Sequence, residues 1–276
     1  MAIGLAIIVL LAVIQGLTEF LPVSSSGHLV LAENLLGVRG SGGGTSVLFE
    51  VAVHVGTLGA ILLIYRRTIR NLLAGLAAYV RAGFRPADES REEVGYIGWI
   101  LLGSLPAAVV GFFLHDRMAA VFNSPRTTAV LLVVTGLFLL TSRIRTGERT
   151  LCWWIVLLIG AAQAVAILPG CSRSGWTITV ALIAGLGFER AAEFSFLLSI
   201  PAIVGALALE LVRGDAATLE GLSLLGLGIA AAVAFVSGWA ALRLLLLVLR
   251  VGALHRFAYY LIPLGAVAFI YFNVHH

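Results

Sequence analysis

Ten apolar stretches follow one another along this chain of 276 residues, and they limit its fold more than any other feature. They run over residues 3–21, 28–37, 47–65, 96–114, 127–142, 151–168, 176–187, 194–212, 219–240 and 257–272. A helix needs about 20 apolar residues to cross a bilayer, and 17 is roughly the lower limit. Most stretches reach this length alone or with their flanks, whereas 28–37 and 176–187 are too short. The pattern predicts a polytopic α-helical membrane protein.

The composition excludes the soluble classes of protein. Hydrophobic residues make up 60% of the chain and charged residues only 12%, against about 25% charged residues in an ordinary soluble domain. A soluble enzyme of this size would need far more polar surface, and so would a disordered protein or a nucleic-acid-binding domain. We therefore expect the lipid bilayer as a partner and no nucleic acid.

Two short segments rich in Pro, Ser and Gly interrupt the apolar stretches, and their sequences resemble each other. The first reads Leu-Pro-Val-Ser-Ser-Ser-Gly over 21–27, and the second reads Leu-Pro-Gly-Cys-Ser-Arg-Ser-Gly over 168–175. Pro22 and Pro169 lie 147 residues apart, and each break separates a longer apolar stretch from one that is too short to cross. Matching interrupted segments in two halves of a membrane protein are typical of inverted repeats with a binding site near the bilayer midplane.

The repeat predicts one all-α membrane domain built from two five-helix units. The first unit covers 1–145 and begins with a re-entrant broken helix pair over 3–37. The second unit covers 146–276 and begins with a re-entrant pair over 151–187. Three transmembrane spans complete each unit, at 47–65, 96–114 and 127–142 in the first and at 194–212, 219–240 and 257–272 in the second. Because three crossings are an odd number, we expect the second unit to have inverted topology.

The distribution of arginine predicts the orientation in the membrane. All 18 basic residues are Arg, and cytoplasmic loops of membrane proteins carry an excess of basic residues. If the loop 66–95 is cytoplasmic, 13 arginines fall on the cytoplasmic side and four on the outer side. The pattern therefore predicts that both termini lie outside. The remaining arginine, Arg173, lies within the second break.

The first break follows two polar residues that share one helix face. Gln15 and Glu19 are four residues apart, and Glu19 lies beside the break, where the C-terminus of a helix attracts cations. An oxygen ligand there suits Mg²⁺ or Ca²⁺, and Gln15 and Glu50 are further candidates. Glu50 and His54 share one face of their span, and we expect both to line the same cavity. In an alternative interpretation, Glu19 pairs with Arg173.

Serine and histidine residues open the second half of the first broken pair. Ser24, Ser25 and Ser26 stand at the predicted start of a helix and are followed by Gly27 and His28. One serine caps a helix, and the free N–H groups of a first helical turn form an anion site. The spacing of Ser25 and His28 allows contact across one turn, as a nucleophile and its base require. Direct attack by water, with His28 as base and Ser25 as a substrate ligand, fits the same residues.

The second break has the composition of a phosphate site. Arg173 is a charge between two apolar stretches, with the hydroxyl groups of Ser172, Ser174 and Thr177 around it. A guanidinium fork, hydroxyl donors and a helix N-terminus together favour a phosphate group. If the two breaks meet in the fold, we expect an anion and a divalent cation to bind there.

At these residues the chain resembles the undecaprenyl-diphosphate phosphatases, a family also called bacitracin-resistance proteins. The family's Glu/Gln-x-x-x-Glu motif is similar to Gln15-Gly-Leu-Thr-Glu19, which runs into the segment Ser24–His28. The family's Pro-Gly-x-Ser-Arg-Ser-x-x-Thr motif is similar to residues 169–177. Many members have Glu at the first motif position, where this chain has Gln15. The second carboxylate ligand is therefore open, and Glu50 is a candidate.

The resemblance implies an integral membrane phosphatase. Such an enzyme converts undecaprenyl diphosphate to undecaprenyl phosphate and inorganic phosphate, which recycles the cell-wall carrier lipid and confers bacitracin resistance. It implies a polyprenyl diphosphate substrate, a divalent metal (Mg²⁺ or Ca²⁺), and a bacterial plasma membrane location with the site on the periplasmic side. We expect Ser25, His28, Glu19 and Arg173 to be catalytic. The expected substrate ligands are Gln15, Ser24, Ser26, Ser172, Ser174 and Thr177. A homodimer is left open.

A transporter is the alternative class of protein. Inverted repeats with broken helices are also the architecture of secondary transporters, and Arg173 with the two helix termini would suit a polyprenyl-phosphate flippase or an anion transporter. A transporter needs no nucleophile, so the Ser25 and His28 pair favours the phosphatase.

Overall fold

The structure is a computed structural model that describes residues 4–38, 47–84, 91–122, 124–143, 147–213 and 223–275, without the side chains of 47, 114–122 and 210–213. Within these ranges the chain forms eleven α-helices and two short 3₁₀ turns. The α-helices are α1 (Leu5–Phe20), α2 (Ser25–Leu35), α3 (Val47–Ile64), α4 (Arg66–Arg81), α5 (Arg91–Phe122), α6 (Pro125–Leu140), α7 (Trp153–Val165), α8 (Arg173–Ile183), α9 (Phe188–Arg213), α10 (Leu224–Arg250) and α11 (Ala258–Val274). The predicted all-α membrane class is confirmed.

Five segments of the described chain are long and apolar enough to cross a membrane, and α3 with α4 forms a sixth candidate. The five are Arg91–Phe113, Pro125–Arg143, Phe188–Leu209, Leu224–Arg250 and Leu254–Val274. Each overlaps one of the predicted spans, although α10 continues ten residues beyond the predicted end at residue 240. The first residues of the predicted span 219–240 lie outside the described residues.

Helix α4 is bent by 81° from α3 at Tyr65. The bend comes where the apolar run of α3 ends and Arg66 and Arg67 begin, because charged side chains are costly at bilayer depth. Helix α4 packs closely on α5: a Cβ atom on Gly75 would lie 2.5 Å from Cβ of Glu93. Its opposite face is exposed, as in a helix lying at a membrane interface.

In each of the two broken pairs, the first helix is too short to cross the membrane alone. Helix α1 has 16 residues and α7 has 13, so at 1.5 Å per residue they are about 24 and 20 Å long, against a hydrocarbon core of about 30 Å. Each is followed by a Pro-containing break and a second helix. The helices after the breaks begin alike: the Oγ atom of Ser24 accepts from the N–H of Gly27, and that of Ser172 accepts from the N–H of Gly175.

The two breaks are in direct contact. The N–H of Gly170 donates to Oγ of Ser24 at 3.1 Å, and Oγ of Ser174 donates to the carbonyl oxygen of Leu21 at 3.3 Å. Gly170 has a φ of +97°, and a Cβ atom there would lie 2.5 Å from the carbonyl oxygen of Thr128. Only glycine fits this position, because it needs both a left-handed backbone and close approach to α6.

The longer helices enclose these breaks. Helix α10 packs against α1 and α3, α5 packs against α7 and α9, and α6 packs against α11. In the predicted repeat, α1, α3 and α5 correspond to α7, α9 and α10. The contacts of α10 with α1 and α3 then correspond to the contacts of α5 with α7 and α9, which is compatible with a two-unit repeat. Near the breaks the core is aromatic, with the rings of Phe20 and Phe196 in edge-to-face contact at 5.8 Å.

Candidate active site

The carboxylate of Glu19 lies at the centre of the polar residues from both breaks. Its Oε1 atom accepts a hydrogen bond from Nη2 of Arg173 at 2.6 Å. Its Oε2 atom accepts from Oγ of Ser25 at 2.6 Å and from Nε2 of Gln15 at 3.1 Å. Three helices, α1, α2 and α8, therefore meet on one carboxylate.

The ion pair of Glu19 and Arg173 is largely withdrawn from the surface, with side chains 8% and 15% exposed. A buried charge needs a partner and further hydrogen bonds, and the structure provides both. Ser25 and Arg173 are also the first residues of α2 and α8, and a helix N-terminus carries partial positive charge. Two such termini therefore meet beside the carboxylate, and the balance of charge favours an added anion.

A cavity of about 210 Å³ opens beside the ion pair. Its polar lining is Glu19, Arg173, Glu50 and His54, and residues of α3 and α9 form the apolar lining. The Nη1 atom of Arg173 is buried and has no hydrogen-bond partner in the described part of the chain. One end of the guanidinium group thus holds Glu19, while the other remains available to an oxyanion.

The predicted pair Glu50 and His54 does line this cavity, and His54 is connected to the carboxylate. Its Nδ1–H donates to the carbonyl oxygen of Glu50 at 2.8 Å, since a carbonyl only accepts. Nε2 of the neutral ring is then an acceptor, and Nε2 of Gln15 lies 3.4 Å from it. Gln15 therefore bridges His54 and Glu19 through its amide nitrogen.

The oxygen atoms near Glu19 suit a hard cation better than a transition metal. The described residues contain no group of three His, Cys, Asp or Glu side chains that could hold a metal ion. Oε1 of Gln15 is buried without a partner among the described residues, and Glu50 lines the same cavity as Glu19. Mg²⁺ is bound in proteins through one or two carboxylates and substrate phosphates, so Gln15, Glu19 and Glu50 fit such an ion.

Four of the hydroxyl groups predicted to bind substrate instead cap helices or bond to neighbouring parts of the chain. Those of Ser24 and Ser172 cap α2 and α8, and that of Ser174 donates to Leu21. The hydroxyl of Thr177 donates to the backbone of Arg173 and contacts the hydroxyl of Ser195. These four side chains are at most 3% exposed and do not line the cavity beside the ion pair. Oγ of Ser26 lies 3.4 Å from that of Ser24.

His28 is held away from the hydroxyl of Ser25. Its Nδ1–H donates to the carbonyl oxygen of Ser24 at 2.8 Å, so Nε2 accepts from the hydroxyl of Tyr260, also at 2.8 Å. The two rings are stacked, with centroids 5.7 Å apart. Ser25 donates instead to Glu19. Tyr260 was not among the predicted site residues, because nothing local in the sequence links it to a histidine 232 residues away.

A comparison with models of protein families identifies the family of this chain. The model of the family described as bacitracin resistance protein BacA matches residues 8–267. The chain belongs to this family. The match includes both breaks and all the residues around Glu19, and it confirms the family resemblance predicted from the two motifs.

Curated relatives of the BacA family match nearly the whole chain. A protein of Korarchaeum cryptofilum named undecaprenyl-diphosphatase is 39% identical over 257 residues, which are 93% of this chain and 95% of the relative. A protein of Chromohalobacter salexigens with the same name is 40% identical over 274 residues, or 96% and 97% of the two chains. A third, from Syntrophotalea carbinolica, is 38% identical over 265 residues, or 95% and 96%.

Proposed function

We propose that this protein is an integral membrane phosphatase that hydrolyses undecaprenyl diphosphate to undecaprenyl phosphate and inorganic phosphate. The observation that carries the proposal is the hydroxyl of Ser25, which is hydrogen-bonded to Glu19. Beside it lies a guanidinium group whose Nη1 atom has no partner among the residues that the structure describes. A nucleophile, a proton acceptor and an anion site thus lie together at two helix N-termini. The names of the relatives support the choice of substrate.

The residues around Glu19 have separate roles in the proposed reaction. Arg173 and the N-termini of α2 and α8 bind and orient the diphosphate. The oxygen of Ser25 attacks the terminal phosphorus, and its proton passes to Glu19, 2.6 Å away. The bond from the terminal phosphorus to the bridging oxygen breaks, and the lipid monophosphate leaves as an anion. Water then attacks the phosphorus of the phosphoserine, the bond from phosphorus to Oγ breaks, and inorganic phosphate leaves. The proton held by Glu19 returns to the oxygen of Ser25.

Direct attack by water is the alternative route, with Ser25 as a phosphate ligand. His28, the base predicted from the sequence, would need its hydrogen bond from Tyr260 to be replaced before Nε2 could accept a proton. The contact of Ser25 with Glu19 needs no such change. The geometry therefore favours Glu19 as the first proton acceptor on the covalent route.

A divalent cation, Mg²⁺ or Ca²⁺, belongs to the proposal. Oxygen atoms of Glu19, Glu50 and Gln15 would hold it, and when bound it would neutralise charge on the phosphate groups. The amide nitrogen of Gln15 contacts Glu19 and His54, so its oxygen is the atom left to bind a cation. Gln15 can thus replace a carboxylate as a ligand, with one negative charge fewer.

The proposal includes the location and the role in the cell. The excess of arginine in the segment 66–95, which contains α4 and the start of α5, supports a plasma membrane orientation with both termini and the site on the periplasmic side. Release of undecaprenyl phosphate on that side would recycle the carrier lipid for cell-wall synthesis and confer bacitracin resistance. A homodimer remains a prediction.

Phosphate release by the purified protein tests the function. Protein in detergent should release phosphate from C15 and C55 prenyl diphosphates, and EDTA should stop the release until Mg²⁺ or Ca²⁺ is added. Ser25→Ala should lower kcat by at least about 10³-fold if Ser25 is the nucleophile. Ser237→Ala is a matched control, because that hydroxyl bonds only to the backbone of its own helix.

Two results would contradict the proposal or its covalent route. If well-folded protein released no phosphate with any metal, a flippase or anion transporter would become the better interpretation.

Acid-quenched protein given substrate labelled in the terminal phosphate should retain label on Ser25. Turnover by Ser25→Ala within tenfold of the unmodified protein would exclude the covalent route and leave attack by water.

A further inference from the structure

A second cavity lined by Arg173 lies between α5, α7 and α9. Its volume is about 430 Å³, within the range of roughly 300–1,000 Å³ that is usual for ligand pockets. Most of its lining is apolar and includes Phe112, Ile167 and Leu209, and the exceptions include Arg173 and Gln163. Phe112 is 68% exposed on the outer face of α5, a face that meets lipid in a membrane.

Gln163 is the unusual member of this lining. Its side chain is 3% exposed, and neither Nε2 nor Oε1 has a hydrogen-bond partner among the described residues. Burying an amide without partners is unfavourable, so such a group calls for an explanation. Gln163 stands 148 residues after Gln15, the same separation as between Ser24 and Ser172. In the first half the matching amide binds Glu19 and His54, whereas the second half supplies no such partner.

Arg173 lines both cavities. Its Nη2 atom holds Glu19 on the side of the smaller cavity, and its Nη1 atom is buried and unpaired within the described structure. A ligand with two linked phosphates and an apolar chain would match the order in which Ser25, Arg173 and the apolar walls of the cavity follow one another. The terminal phosphate would lie near Ser25, the second phosphate would contact Arg173, and the chain would continue between apolar walls.

We propose that the cavity between α5, α7 and α9 binds the lipid end of the substrate. Nε2 of Gln163 donates a hydrogen bond to the phosphate that carries the lipid, and the first isoprene units lie along α5 and α9. This inference rests on the proposed function and assigns a second phosphate position to it. A free inorganic phosphate suits the cavity less well, because most of the wall cannot donate hydrogen bonds.

Two variants separate the phosphate contact from the chain contact. Gln163→Leu removes the donor at similar volume, and the KM for a C15 and for a C5 prenyl diphosphate should rise about 10- to 100-fold, as expected for a hydrogen bond to a charged group. Gly205→Phe fills the cavity from α9, where a Cβ atom would meet nothing within 4 Å. It should raise the ratio of KM for the C15 to that for the C5 substrate at least tenfold.

Matched controls distinguish these effects from loss of folding. Gly228→Phe is the same change at an exposed helix position that is equally open and should leave the KM ratio unchanged. Thermal unfolding should show that Gln163→Leu is as stable as the unmodified protein or more stable, because an apolar group replaces an unpaired amide. A clear loss of stability with unchanged KM would show that Gln163 is structural and would overturn the assignment.

Binding of the product separates failure of this inference from failure of the proposed function. Farnesyl monophosphate should quench the tryptophan fluorescence of the unmodified protein on binding, and Gln163→Leu and Gly205→Phe should each weaken its affinity at least tenfold. If the unmodified protein released no phosphate but this pattern held, the reaction would be wrong and the lipid-phosphate site right. If phosphate were released and both variants kept the affinity and the KM values, the site would be wrong.

Discussion

Replacing Arg173 by lysine and by methionine should separate its two contacts. The guanidinium group holds Glu19 through Nη2 and leaves Nη1 unpaired in the described structure. Lysine keeps the positive charge but donates from one nitrogen on a shorter side chain, so it cannot bond Glu19 and a phosphate group at two separate positions as the guanidinium fork does. Methionine removes both contacts and the charge.

The size of each effect follows from the contacts. Loss of one hydrogen bond to a charged group amounts to about 1.5–3 kcal/mol, and each 1.36 kcal/mol is a tenfold change in rate. Arg173→Lys should therefore lower kcat/KM about 10- to 160-fold while stability falls by less than about 1 kcal/mol. Arg173→Met leaves the carboxylate of Glu19 buried without its cation, which typically destabilises a protein by about 3–5 kcal/mol.

Phosphate release and unfolding in mixed detergent measure the two effects on the same preparations. Adding Glu19→Gln to Arg173→Met should restore most of the lost stability without restoring activity, because no buried charge is then left alone. A kcat/KM for Arg173→Lys within threefold of the unmodified protein would refute the reasoning, because one ammonium group would then be enough to bind both Glu19 and the phosphate group. Equal stability of the lysine and methionine variants would show that the charge of Arg173 does not stabilise Glu19.

Three further changes test other parts of the site. Ser24→Ala should destabilise the protein by about 1–2 kcal/mol, because the hydroxyl caps α2 and accepts from Gly170; unchanged thermal unfolding would contradict this role. Gly170→Ala should give little folded protein on size exclusion, because a Cβ atom would lie 2.5 Å from a carbonyl oxygen; a normal yield would be inconsistent with the close approach. Tyr260→Phe removes the hydrogen bond to Nε2 of His28 and should leave kcat nearly unchanged, because Glu19 is the first proton acceptor in the proposed reaction; a clear fall in kcat would show that His28 takes part.

Much of the fold could be predicted from hydropathy and from the two breaks. Apolar length alone locates the spans, because the thickness of the bilayer sets the length of a crossing helix. The bend between α3 and α4 was not located, since a hydropathy pattern shows where charges begin but not the angle the chain takes there. The end of α10 was placed too early, because its last turns remain helical beyond the predicted end at residue 240.

The centre of the site was more predictable than its periphery. Glu19 and Arg173 are both costly within a membrane, and their pairing was the alternative interpretation of the sequence. The structure shows that they form an ion pair. The serines were harder to assign, because a helix cap and a phosphate ligand occupy the same position at the start of a helix. Ser25 and Ser24 are neighbours in sequence, yet one hydroxyl faces Glu19 and the other caps α2. No local signal linked Tyr260 to His28.

The ion pair at the centre has a consequence for how the protein is made. Glu19 precedes Arg173 by 154 residues, so at a translation rate of about 5–20 residues per second the carboxylate waits roughly 8–30 s for its cation. During that time the first broken pair has no counter-charge, and Glu19 has to stay in contact with water or bind a proton. The first half of the chain therefore cannot bury an ionised Glu19 until the second half arrives. Completion of the site is a late step of biogenesis, and a fragment that ended before the second break could bury this side chain only in its neutral form.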